Sequence, residues 1–261
     1  MILRRSLAFT AKCGIVKKTE RKAVRRLSCG GEIILNGTEI KKWMAGFQAR
    51  VLDAFGNRVV FLGLQGSYGR GEQTPESDID VVVILDKVGF ADLEAYRAIL
   101  EDTEFRDLIC GFVAGVPELL AWEKYDLLQL YLDAVPYFGN LDFLKNSFSK
   151  EDIERAVRVG ACNVYHAASH NYLHAGDAAA LKEIYKAARF VVRMKEYGET
   201  GVYIPSMAEL SEKVSPEDGK ILAICAQPFT DGDGIAFAEK SKFLIEWAGG
   251  LIRKNADGGK R

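Results

Sequence analysis

Two aspartates one residue apart, Asp78 and Asp80 in "SDID", lead into an apolar run, and ten residues separate them from a glycine-serine pair, Gly66 and Ser67 in "GLQGSYGRG". At the head of a strand, residues i and i+2 share a face, so the two carboxylates point one way while Ile79 and Val81 point the other. Paired carboxylates repel unless a positive charge lies between them. A hard divalent cation answers that need: Mg²⁺ commonly takes one or two protein carboxylates and fills its shell with water and substrate phosphates. An ion held there polarises a phosphoryl group. The turn offers the complementary half. Gly63, Gly66, Gly69 and Gly71 allow close backbone approach to a polyphosphate, Ser67 supplies a hydroxyl and an N–H, and Arg70 adds a cation. A lone glycine-serine pair reads as a surface turn and a lone D-x-D as a solvated strand start; coupled between two strands, they read as a metal and phosphate site.

The elements that would position these residues follow from periodicity. "GTEIKKWMAGFQARVLDAFG" places Ile40, Trp43, Met44, Phe47, Val51, Leu52 and Phe55 three and four residues apart, which predicts an amphipathic helix with Thr38 as its N-cap and Gly56 as its stop. "NRVVFLGLQGS" and "DIDVVVILD" read as buried strands, the second covered on both faces. A helix over "FADLEAYRAILEDTEF", a strand at "DLICGFVAG", a helix over "PELLAWEKYDLLQLYLDA" and a short strand at "VPYFG" follow. After "GNLDFLKNSFSKED" the strand signals stop, and the chain reads as three or four helices. The expected class is α+β: an α/β domain with a mixed sheet over 36–146, then an all-α bundle over 147–261.

The chain has 261 residues, 48% of them apolar, and a net charge of −1, which fits one large or two ordinary globular domains. Its basic residues are concentrated at the start, where Met1 to Gly30 carries nine Lys or Arg and a single acid, Glu20. Residues 1–35 therefore read as a basic tail: a nucleic-acid arm, an organelle transit peptide, or sequence upstream of the true start. The remainder is acidic overall, which argues against stable binding of duplex DNA. The five cysteines are widely spaced, never form a C-x-x-C pair, and read as reduced thiols of a cytoplasmic protein. The longest apolar run, Leu108 to Trp122, is broken by glycines, Pro117 and Glu118, so no membrane span is expected.

The string from Phe61 to Leu85 resembles the signature of the polymerase-β-like nucleotidyltransferases, and is similar in particular to the minimal and antibiotic-modifying types. The resemblance implies transfer of a nucleoside monophosphate, AMP from ATP first among the candidates, from a nucleoside triphosphate to an acceptor hydroxyl on a small molecule or a protein. It implies that Gly66 and Ser67 hold the triphosphate and that Asp78 and Asp80 bind two Mg²⁺ ions. It also implies a third acid on a neighbouring strand. Asp107, heading "DLICGFVAG", is the first choice, with Asp126 and Asp133 as alternatives; without a third acid the domain could bind nucleotides without transferring them. The helical half resembles, in layout, the HEPN-type domains and the helical half of kanamycin nucleotidyltransferase. A homodimer is an expectation from the antibiotic-modifying relatives alone. Arg158 stands too far before His166 for the R-x-x-x-x-H ribonuclease pattern, so no RNA cleavage is expected.

All three histidines, His166, His170 and His174, recur every four residues and form one helical stripe. Zinc ligation, the lining of an interdomain cleft and plain solvated surface are the three readings of it. Arg189 and Arg193, also four apart, read as solvated or phosphate-facing.

Overall fold

The computed structural model describes residues 34–75, 77–229 and 234–257, and these fall into two compact units that divide between Phe148 and Ser149. The basic tail up to residue 33 lies outside the described residues. Leu35, the last residue assigned to that tail, belongs to the first core: it is 7% exposed, and its carbonyl accepts from Gln73 Nε2 at 3.1 Å.

The first unit begins with α1 (Gly37–Phe55), whose N-cap is Asn36 and not Thr38. The Asn36 side chain accepts from the Thr38 and Glu39 amides while Glu39 Oε2 accepts from the Asn36 amide at 2.7 Å, a reciprocal box that a Thr38 cap could not close with Glu39. There follow β1 (Val59–Gln65), the one-turn helix α2 (Gly66–Arg70), β2 (Ile79–Leu85), α3 (Phe90–Glu101), β3 (Ile109–Gly115), α4 (Val116–Leu120), α5 (Lys124–Asp133) and β4 (Val135–Gly139). The segment expected as one helix after β3 is thus two, separated by a turn at Ala121–Glu123.

The sheet order is β3-β2-β1-β4; β1 runs antiparallel to both neighbours, and β2 and β3 are parallel, so the sheet is mixed. Alternation divides the strands between two cores. Leu62, Leu64, Ile79, Val81, Val83 and Leu85 pack with Met44, Phe47 and Val51 of α1 and Tyr96 of α3. Phe61, Val82, Ile84 and Phe112 pack on the opposite face with Leu119 of α4 and Leu127 and Leu130 of α5. Helices on both faces explain why β2 reads as an unbroken apolar run.

The second unit is helical: α6 (Lys150–His170), a π-helical turn (Asn171–Ala175), α7 (Ala178–Thr200), α8 (Met207–Lys213), α9 (Pro216–Cys225) and α10 (Gly234–Asp257). Apolar stripes of α6 (Val157, Ala161, Val164), α7 (Leu181, Tyr185, Ala188, Val192) and α10 (Leu244, Trp247, Leu251) form its core. Arg193 is neither solvated nor phosphate-facing. It is 2% exposed and donates to the carbonyls of Ile204 and Pro205 at 2.9 and 2.7 Å, tying the loop before α8 to α7. Its neighbours on that loop are carbonyls that need a buried donor.

Candidate functional site

The G-S turn and the aspartate pair are separate in sequence and meet through strand pairing. Gln65, the last residue of β1, is the register partner of Asp80 in β2, and Asp80 is in turn the partner of Cys110 in β3. Directly opposed residues share a face, so Gln65, Asp80 and Cys110 form a row across three strands. That row lies on the face occupied by Val82, Ile84 and Phe112, at the edge where β1 ends and β2 and β3 begin. Asp78 and Asp80 are both half-buried.

Gly66 brings the halves into contact. Its φ of +70° is a left-handed conformation, and a Cβ placed on it would stand 2.3 Å from Asp80 Oδ2. The Asp80 carboxylate therefore occupies the volume that any side chain at position 66 would need. The Gly66 amide donates to Asp133 Oδ2 at 3.0 Å, so the glycine is held on one side by Asp133 and flanked on the other by Asp80. Ser67, half-buried in the first turn of α2, has its carbonyl taken by the Glu72 amide at 2.8 Å.

Arg70, expected as a phosphate-facing cation, has other partners. Its Nη1 lies 2.8 and 2.6 Å from the two oxygens of Asp133, and its Nε donates to Glu72 Oε2 at 3.1 Å. The Arg70 and Asp133 side chains are 9% and 4% exposed. Burial alone would lower the guanidinium pKa; the charges and hydrogen bonds of Asp133 and Glu72 outweigh it and raise it. Asp133, one alternative for the third acid, thus closes the end of α5 onto the glycine turn. Sequence reasoning missed this role, although the residue lies two positions before the start of β4, the strand that pairs with β1.

Asp107 sits in a 3₁₀ turn (Arg106–Leu108) ahead of β3 and is exposed. The strand position beside Asp80 belongs to Cys110. Asp126 lies in the first turn of α5. Among the described residues no three or more His, Cys, Asp or Glu side chains are gathered closely enough to hold a metal ion. The donor set at the sheet edge nevertheless fits a hydrated hard cation: Asp80 lies in the row across the strands, Asp78 stands two residues before it, both half-buried, and Gln65 Oε1 is a buried carbonyl acceptor with no hydrogen-bond partner. Such an oxygen calls for a donor, and a metal-bound water or substrate hydroxyl is one.

A mixed four-stranded sheet with a glycine-serine turn closing one strand and a carboxylate pair opening the next defines a nucleotidyltransferase-type domain. Residues 47–154 match the family model of the nucleotidyltransferase domain. A curated protein of Methanocaldococcus jannaschii, provisionally named a protein adenylyltransferase, is 36% identical over 67 residues, which span 26% of this chain and 65% of that relative. A spectinomycin adenyltransferase from Enterococcus faecialis, solved with ATP and spectinomycin, is 15% identical with a TM-score of 0.48, covering 78% of this chain and 98% of that one. A nucleotidyltransferase-like protein from Exiguobacterium sibiricum is 10% identical with a TM-score of 0.31, covering 82% and 75%. Among the described residues no helix is long and apolar enough to cross a membrane.

Proposed function

We propose that the protein is an Mg²⁺-dependent nucleotidyltransferase that passes AMP from ATP to a hydroxyl of a small molecule or a protein. The observation that carries this reading is the packing of the Asp80 carboxylate over Gly66, which joins the phosphate turn to the metal pair. Asp78 and Asp80 are the residues that would hold the metal, two ions in the full reading, and Asp107 is the acid that would join them. Bound there, the metal would neutralise phosphate charge and polarise the phosphorus under attack. The chain's own part is positional. Gly66 would let a triphosphate approach the turn closely, Ser67 would offer it a hydroxyl, and Gln65 Oε1 would accept from a water or hydroxyl beside Asp80. Arg70 and Asp133 hold the turn rigid so that in-line geometry survives binding. The helical unit, HEPN-like in layout, would take the acceptor, and cysteines without a C-x-x-C pair suit a cytoplasmic setting.

A second reading, a regulatory module that binds nucleotide without transferring it, is favoured by one observation: β3 presents Cys110 beside Asp80 where a carboxylate would complete the site. One experiment tests both. Purified protein is incubated with each α-labelled nucleoside triphosphate, Mg²⁺ and panels of metabolites, aminoglycosides and proteins, beside Asp78→Asn with Asp80→Asn. ATP-dependent label or pyrophosphate present only in the wild type supports transfer. A nucleotide-induced rise in Tm with neither product overturns transfer in favour of the module.

A further inference from the structure

The row of imidazoles on the helical unit takes no part in the nucleotidyltransferase reading. His166 and His170 lie in α6 and His174 in the π-turn that extends it, and all three are exposed. Their ring centres are not evenly spaced: His166 and His170 are 6.2 Å apart, His170 and His174 only 4.8 Å. The closer pair falls where the helix widens from α to π. A π-turn advances by fewer degrees per residue than an α-turn, which changes how far round the helix a residue four positions on is carried, and single π-turns recur at functional sites.

A chelate sets a definite separation for two such rings. A metal to imidazole bond is about 2.0–2.1 Å, and a ring nitrogen lies about 1.1 Å from its ring centre, so each centre stands about 3.2 Å from the ion. At ligand angles of about 90–110° the two centres are then about 4.5–5.2 Å apart. The His170–His174 distance falls inside that range and the His166–His170 distance falls outside it. The wall behind the pair is also fixed. Asn171, 4% exposed, donates from Nδ2 to the Asp177 carbonyl at 2.9 Å and accepts from the Asp177 amide at 3.2 Å, so the π-turn is tied to the start of α7.

We propose that His170 and His174 form a two-imidazole chelate for a borderline divalent transition ion such as Zn²⁺ or Ni²⁺. No three donors are gathered at one point among the described residues, so water completes the shell, and imidazole donors on an exposed helix select against Mg²⁺. The site shares no residue with the Asp78 and Asp80 pair and does not depend on the transferase reading.

Calorimetric titration of the full chain, free of any polyhistidine tag, with Zn²⁺ and separately with Ni²⁺ tests this. The expected result is one ion per chain with Kd on the order of micromolar, undisturbed by millimolar Mg²⁺. His170→Ala and His174→Ala each weaken binding at least tenfold. Asp78→Asn with Asp80→Asn, and replacement of the exposed Cys162 four residues before His166 by serine, leave it unchanged. All these histidines are exposed, so far-ultraviolet circular dichroism should confirm that the variants stay folded. Zn²⁺ shifts of the His170 and His174 ring protons in NMR spectra supply a second readout. Absence of binding, or binding that survives His170→Ala, overturns the proposal, as does binding lost in the aspartate or Cys162 variants but kept in His174→Ala.

Discussion

The carboxylate of Asp80 fills the space beside the Gly66 Cα, with Oδ2 2.3 Å from where a Cβ would be. Two residues fourteen positions apart therefore constrain each other, and the turn and the strand behave as one object.

Gly66→Ala should harm function more than stability. A left-handed alanine costs about 1–2 kcal/mol, and its methyl group must also displace Asp80, a shift that can cost about 100-fold in rate for roughly 1 Å of misplacement. Gly71→Ala is the control: Gly71 has the same φ of +70° but nothing within 4 Å of where the methyl group would stand, so it carries strain without collision. Similar losses of Tm in both variants, with nucleotide-dependent activity or binding lost only at position 66, are expected. Equal functional loss would refute the packing argument.

Arg70 and Asp133 predict a strongly coupled double-mutant cycle. Removing one partner of a buried pair costs about 3–5 kcal/mol because the other charge is left uncompensated. Arg70→Met or Asp133→Leu alone should lower the denaturation midpoint sharply, while the double variant regains most of the loss, short of the acceptor that the Gly66 amide loses, about 1–3 kcal/mol. Additive losses in urea unfolding would show that the pair is not coupled.

Much of the first unit is legible in the sequence because its signals are local. The periods of α1, β1 and β2 are clear, and the sequence places Asp80 at the head of β2. What escapes depends on pairing across the sheet. Gln65 as the partner of Asp80, and Cys110 in place of Asp107 beside it, follow from strand register, which spacing along the chain does not encode. Arg70 misleads for a related reason: a cation two residues before an acid in a glycine turn looks available until α5 brings Asp133 to it. Arg193 misleads because its partners, the Ile204 and Pro205 carbonyls, are backbone groups that carry no sequence signal.

Acid sensitivity should localise to the loop after β2. Arg58 donates to Asp92 at 2.6 and 3.0 Å and to Asp86 at 3.0 Å, and the Gly89 amide donates to Asp92 at 2.8 Å. The bonds from Arg58, with that from Gly89, lower the Asp92 pKa to about 2 from an ordinary carboxylate value of 3.8. A depressed carboxylate contributes stability above its unfolded pKa and loses it as pH falls through its folded one. The difference in Tm between wild type and Asp92→Asn should therefore be constant above about pH 5 and shrink between about pH 4 and pH 2. A difference that does not vary over that window would remove the assignment.

In the helical unit Asp218 is the hub of a buried polar cluster. Its carboxylate, 4% exposed, accepts from Lys195 Nζ, from Ser215 Oγ at 2.8 Å and from Trp247 Nε1 at 2.9 Å. Burial pushes its pKa up, and the three donors, Lys195 foremost, bring it below the ordinary value. Trp247→Phe keeps the ring volume and removes one donor, so a loss of about 1–3 kcal/mol is expected. Asp218→Leu should cost more, since it leaves Trp247 Nε1 and Ser215 Oγ without their acceptor and Lys195 with only the more distant Glu199, and Lys195→Met with Asp218→Leu should recover part of it. Thermal unfolding of the four proteins gives the comparison, and a neutral Asp218→Leu would contradict the cluster's role.

Cys110 offers the most direct test of how complete the catalytic edge is. It stands in register with Asp80 on the adjacent parallel strand, half-buried on the face that carries Gln65 and Asp80. Cys110→Asp would place a third hard oxygen donor there at nearly constant volume. Affinity for oxygen-liganded cations rises with the count of charged ligands, so Mn²⁺ binding, followed by electron paramagnetic resonance, should tighten on the order of tenfold, and any transferase rate should rise with it. Tighter Mn²⁺ binding without a rate gain would show that Asp107, or an acid supplied by the acceptor, already does the work of the base. Unchanged binding would show that the ion sits toward Asp78 and away from β3, and would remove Cys110 from the site.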